Sequence, residues 1–228
     1  MRTRHPPSTR RALLAWWLAT VAAALSATLL VLAPALAAAP APAFAGAFEQ
    51  FQRATAGDKA AIDAAATQFA ALSANDRADP VLLAYSGAAT TLRATTTMLP
   101  WRKMSFAEDG LAQVDKALTL LNASHDQPLY RGTPASLEVR FVAASTFLGL
   151  PSMLNRHERG ARLLGDVLRS PLFAGAPLGF RGAVWLRAAG EAVNGKRPDE
   201  ARQWLQQVVA SGAPQAAKAQ AQLKELNP

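Results

Sequence analysis

Residues 177–214 read PLGFRGAVWLRAAGEAVNGKRPDEARQWLQQVVASGAP, and this stretch decides the fold. Pro177 and Pro198 each stand where a helix opens, because the first turn of a helix does not need the proline N–H. Phe180, Val184, Trp185, Ala188 and Ala192 recur at three and four residues, which makes one apolar stripe on a helix. Asn194 and Gly195 stop it. Ala201, Trp204, Leu205 and Val208 repeat the pattern, and Ser211 and Gly212 stop it again. Pro214 opens a third helix carrying Leu223 and Leu226. Two antiparallel helices and the start of a third are therefore predicted from local signals.

The same punctuation runs towards the N-terminus. Phe48 and Phe51 begin a short helix that stops at Gly57, and Asp58 caps a second through Ile62, Phe69 and Leu72. Asp79-Pro80 pairs a capping acid with a proline in the first turn. That helix carries Leu82, Leu83, Tyr85, Ala89 and Leu92, extends towards Met98, and ends at Pro100. Ser105 and Glu108 read as a capping box ahead of the stripe Phe106, Leu111, Val114, Leu118 and Leu121. Thr133-Pro134 opens a helix with Leu137, Phe141, Ala144 and Leu148. Another runs from about Asn155 and stops at Ser170-Pro171. No stretch alternates as a strand does. The fold class is all-α, with about nine helices arranged as hairpins.

The stretch Trp185 to Pro214 resembles a tetratricopeptide repeat. A large aromatic stands early in its first helix, with small Ala188, Ala189 and Gly190 after it. Gly195 stands at the turn, Ala201 at the small position of the second helix, Leu205 and Val208 at its packing positions, and Pro214 just beyond. The turn is one residue longer than the usual pattern. Phe48 to Leu72 resembles a second such pair, turning at Gly57-Asp58. The two middle pairs depart from it through insertions at Leu99–Met104 and Leu150–Asn155. Pro100-Trp101-Arg102-Lys103 and Leu150-Pro151 are also similar to uncharacterised exported bacterial repeat proteins. The resemblance implies a right-handed solenoid of stacked hairpins that binds a protein or peptide. Stacking is also required physically, since one short amphipathic hairpin cannot bury its apolar face alone.

The N-terminal segment reads as an address. Arg2, Arg4, Arg10 and Arg11 precede a stretch with no charge from Ala12 to Phe48. The run 12–33 is apolar, Pro34 breaks it, and Ala35-Leu36-Ala37 and, further on, Ala43-Phe44-Ala45 both fit a small-x-small cleavage pattern. Residues 1–37 are expected to be an export signal. The alternative is a retained inner-membrane anchor, since about 20 apolar residues span a bilayer. Arg10-Arg11 is also compatible with twin-arginine export. Either way the remainder is expected outside the cytoplasm, in the periplasm. Residues 38–46, with Pro40 and Pro42, read as an Ala/Pro spacer, and the repeat domain is expected over 47–228.

Composition narrows the function. The chain of 228 residues holds 52 alanines and no cysteine, so thiolate chemistry and disulfides are excluded. The formal charge of +8 is half accounted for by the four arginines of residues 1–11. The body is mildly basic, which is no nucleic-acid footprint. His157-Glu158 lacks the second histidine of a zinc motif, because position 161 is Ala. Gly190 to Lys196 has the spacing of a phosphate loop, but Arg197 stands where a Ser or Thr is needed. Neither a catalytic site nor a cofactor is expected. An unmarked hydrolase would need a pair of carboxylates that nothing in the sequence marks.

Three sets of residues are candidate binding sites. Trp101, Arg102 and Lys103, with Arg93 two turns earlier, form an aromatic and cationic clamp in an insertion. Arg156, Arg159 and Arg162, with Asn155, form a basic helix face. Tyr85, Arg140, Arg181 and Trp185 lie on first helices of pairs, the side that lines the groove in helical repeats. The expectation is an exported scaffold for protein–protein interaction in the bacterial cell envelope. The alternative is a periplasmic binding protein for a small anionic or cell-wall-derived ligand.

Overall fold

The structure is a computed structural model, and it describes residues 41–226. The expected export or anchor segment, residues 1–37, lies outside the described residues. Among the described residues no helix is long and apolar enough to cross a membrane.

The described residues are all-α, with nine α-helices: α1 (Ala41–Thr55), α2 (Lys59–Asn75), α3 (Pro80–Leu92), α4 (Pro100–Thr119), α5 (Ala135–Leu148), α6 (His157–Arg169), α7 (Leu178–Asn194), α8 (Pro198–Ala210) and α9 (Ala216–Leu226). Short 3-10 turns lie at Arg93–Thr95, Ala123–Asp126 and Ser152–Leu154. Among the described residues the one strand-like feature is an isolated bridge between Pro128 and Pro134. The caps follow from sequence. Asp58 accepts from the N–H groups of Ala60 and Ala61, and Asp79 from those of Val81 and Leu82. Pro80, Pro100 and Pro198 occupy first turns, while Pro134 and Pro177 stand one residue before.

Consecutive helices pack as hairpins: α1 on α2, α3 on α4, α5 on α6 and α7 on α8. The first helices also touch in order, α1 with α3, α3 with α5 and α5 with α7. Each second helix meets the first helix of the following pair, and α8 meets α9. One core joins Phe44, Phe69, Val81, Leu82, Tyr85 and Val139, and another joins Leu137, Leu164, Phe180, Trp185, Leu205 and Val208.

Two glycines face each other where α3 crosses α4. An added Cβ at Gly87 would stand 2.6 Å from the Gly110 carbonyl oxygen, and one at Gly110 would stand 2.5 Å from that of Gly87. Both distances are below contact, so only hydrogen fits at either position. At the α7–α8 turn, the left-handed residue is Lys196 (φ 56°), while Gly195 has φ −79°.

Four local expectations are corrected. The Ala/Pro spacer is not extended to residue 46, because α1 begins at Ala41. Pro42 is tolerated in the first turn, and Phe44 and Ala47 are both buried in the core. The insertion at Leu99–Met104 is helical from Pro100 onward, which places Trp101 on α4 rather than in a loop. Ser105 and Glu108 are consequently helix interior, with no capping box, and Ser105 Oγ bonds Asp109 at 3.2 Å. Finally, α6 starts at His157, because Asn155 is left-handed (φ 51°) and cannot continue a helix.

Candidate interaction surfaces

The segment between α4 and α5 lies across the first turns of α3 and α5. The Tyr130 ring stacks on Phe44 at 4.2 Å, and its hydroxyl donates to the Asp79 carboxylate, which also caps α3. Arg131 donates to Glu138 Oε1 at 2.6 Å and to the Tyr85 hydroxyl at 3.2 Å. Its guanidinium also sits 3.7 Å from the Phe48 ring centroid. Tyr85 donates to the same Glu138 oxygen at 2.8 Å. Glu138 is 1% exposed, and its Oε2 has no hydrogen-bond partner. Burial, reinforced by the Glu138 charge, pushes the Tyr85 hydroxyl well above the ordinary tyrosine range.

This corrects the groove expectation for Tyr85, which is buried beneath Arg131. Sequence reasoning missed Tyr130, Arg131 and Glu138. One signal was present: Glu138 interrupts the apolar run Leu137-Glu138-Val139 at the start of α5. Such an acid needs a partner, and here Arg131 supplies it.

The basic face is rearranged as well. Arg156 and Arg159 both bond Asp115 of α4, and both lie over the Phe147 ring. Arg162 pairs with Glu158 one turn back, at 3.7 Å. His157 meets Glu191 of α7 at 2.8 Å. Arg156 and Arg159 thus tie the start of α6 to α4 and α5, while Arg162 stays exposed on α6. Arg140 is half-buried and donates to the Ser136 carbonyl.

Trp101 and Arg93 do not come together as a clamp. Arg93 bonds Asp63 at 2.9 Å and covers the Phe106 ring at 4.5 Å. Trp101 is 68% exposed, and Arg102 and Lys103 beside it are also exposed. Met98, Leu99 and Met104 are exposed in the same short segment.

Two recesses open between helices. One, about 330 Å³, has Ala70, Ala74, Ser86 and Gln113 in its lining, with Arg77 and Lys116. The other, about 360 Å³, is lined by Trp185 of α7 and by Gln203, Trp204 and Gln207 of α8. Trp185 is mostly buried, Trp204 is half-buried, and the two glutamines are exposed one helical turn apart. The Trp204 indole N–H points back to Glu200 at 3.3 Å, and Arg181 covers the Trp185 ring at 5.6 Å. The Arg181 Nε is buried without a hydrogen-bond partner. Of the four predicted groove residues, Arg181 and Trp185 thus come together. The glutamine pair was not singled out from sequence, although its spacing of four on a predicted helix was visible.

Among the described residues no group of three or more His, Asp or Glu is placed to hold a metal ion. Comparison with protein-family models, curated proteins and solved structures finds no match.

Proposed function

We propose that the chain is an exported scaffold of stacked, tetratricopeptide-like helical hairpins that binds a protein partner in the bacterial cell envelope. It acts without a cofactor and without catalysing a reaction. The packing order supports the repeat reading: first helices touch first helices, and each second helix meets the next pair. The polar α9 packs on α8, and a polar outer face suits a capping helix. The N-terminal arginines and the apolar run 12–33 support export, through cleavage or with the run retained as an anchor.

The observation that carries the binding reading is the recess of Trp185, Gln203, Trp204 and Gln207. Indole surfaces give binding area at low entropic cost, and Trp is enriched among binding hot spots. Two carboxamides one turn apart can donate to and accept from the backbone of an extended peptide. The anion-binding alternative loses support, because Arg156 and Arg159 are engaged by Asp115.

Site-specific photo-crosslinking tests the proposal in native envelopes. A photoreactive residue replacing Gln207 should give one discrete adduct, absent when the same residue replaces Lys224 on α9. No adduct at position 207, or the same adducts at both positions, would remove the recess as a partner site.

A further inference from the structure

We propose that the start of α4, with the turn before it, is a docking tip for an anionic phospholipid surface. Met98 is 87% exposed, Trp101 68%, Leu99 40% and Met104 39%. Four large apolar side chains within seven residues, all turned to solvent, are not accounted for by the core. Scattered surface apolars need no cause, but a contiguous patch does. Arg102 and Lys103 stand between Trp101 and Met104 in the sequence, both exposed, and among the described residues neither is in an ion pair. No acidic residue occurs from Pro80 to Ala107. Asp63 of α2 is already held by Arg93. The acids further along α4, Glu108 and Asp109, begin a full turn beyond Met104, and Asp109 takes a hydrogen bond from Ser105.

The chemistry selects the occupant. Tryptophan favours the boundary between headgroups and acyl chains, where its ring is buried and its N–H stays wet. Methionine and leucine enter the acyl region, and adjacent cations meet lipid phosphates. The backbone of the tip is prepared for a drier setting. The hydroxyls of Thr95 and Thr96 donate to the carbonyls of Leu92 and Arg93 at 2.7 and 2.9 Å. Pro100 has no N–H to leave unpaired. These contacts lower the cost of removing the end of α3 from water. The tip lies on α4, away from the α7–α8 recess, so this inference does not depend on the partner reading.

The absence of cysteine allows a direct test on the full chain. A single Met98→Cys carries a polarity-sensitive dye, and a Lys224→Cys counterpart reports on α9. Each is mixed with vesicles of phosphatidylcholine alone or with phosphatidylglycerol added. The dye at position 98 should shift to the blue with phosphatidylglycerol and be quenched by lipid-borne quenchers, while position 224 stays in water. Arg102→Glu with Lys103→Glu should weaken the response more than about tenfold, since each cation near an anionic surface is worth about fivefold. Helix content by circular dichroism should remain unchanged in that variant, because both side chains are exposed. No shift with phosphatidylglycerol would overturn the proposal. So would equal shifts at 98 and 224, which would report adsorption through residues 12–33. A shift at 98 that needs added envelope protein and not lipid would assign the tip to a protein partner and overturn the lipid assignment.

Discussion

Arg131 holds Glu138 at 2.6 Å, and Glu138 is 1% exposed. This pair closes the segment between α4 and α5 over the first turns of α3 and α5, with Tyr85 bonded to the same oxygen. A buried carboxylate left without its cation is among the larger single losses a fold can suffer. Arg131→Ala should therefore cost about 3–5 kcal/mol in denaturant unfolding. Adding Glu138→Gln to Arg131→Ala should recover part of that loss. A cost within error of zero would mean that the segment does not hold the ends of α3 and α5.

Tyr85 makes stability sensitive to alkali. Its folded value is raised well above the ordinary 10.0 by burial and the Glu138 charge. The unfolded chain ionises its tyrosine near the ordinary value, whereas the folded chain keeps the hydroxyl protonated. The contribution is thus fully present below pH 10.0 and is lost as the pH rises beyond it towards the folded value. Wild type should lose stability above that pH more steeply than Tyr85→Phe, as thermal unfolding across alkaline buffers would show. Parallel slopes would argue against a buried, protonated Tyr85.

Gly87 and Gly110 set the approach of α3 to α4. A methyl at Gly110 would stand 2.5 Å from the Gly87 carbonyl oxygen and 2.7 Å from the Thr91 nitrogen. Helix propensity alone favours Ala over Gly by about 1 kcal/mol. Overpacking costs about 1–3 kcal/mol and here meets backbone that cannot rotate away. Gly110→Ala should therefore destabilise, whereas Gly190→Ala, with nothing within 4 Å of the added Cβ, should not. Chemical denaturation of the two variants checks the contrast. A stabilised Gly110→Ala would show that the helices stand further apart.

Much of the helical order was legible because its signals are local. Asp58, Asp79-Pro80, Pro134, Pro177 and Pro198 each act within a turn of where they stand, and each helix opens where they indicate. The failures came where two local signals competed. Ser105 and Glu108 had the spacing of a capping box, but Pro100 had already opened α4 more than a turn earlier. Pro40 and Pro42 suggested an extended spacer, but burial of Phe44 among Phe69, Tyr85 and Tyr130 favours helix. The candidate sites were less legible. Whether Tyr85 faces solvent or lies beneath Arg131 depends on a contact across 46 residues, and no periodicity records it. Likewise Arg156 and Arg159 looked like an open basic face until Asp115, from the preceding hairpin, was placed between them.

The partner reading and the tip make opposite demands on two tryptophans. Trp204 lines the α7–α8 recess, and Trp101 stands exposed on α4. The most direct test measures the affinity of the partner captured at position 207 for the full chain and for Trp204→Ala and Trp101→Ala. The account predicts a loss of about tenfold or more for Trp204→Ala, as for a hot-spot aromatic, and no change for Trp101→Ala. Unchanged affinity in Trp204→Ala, with loss in Trp101→Ala, would contradict it.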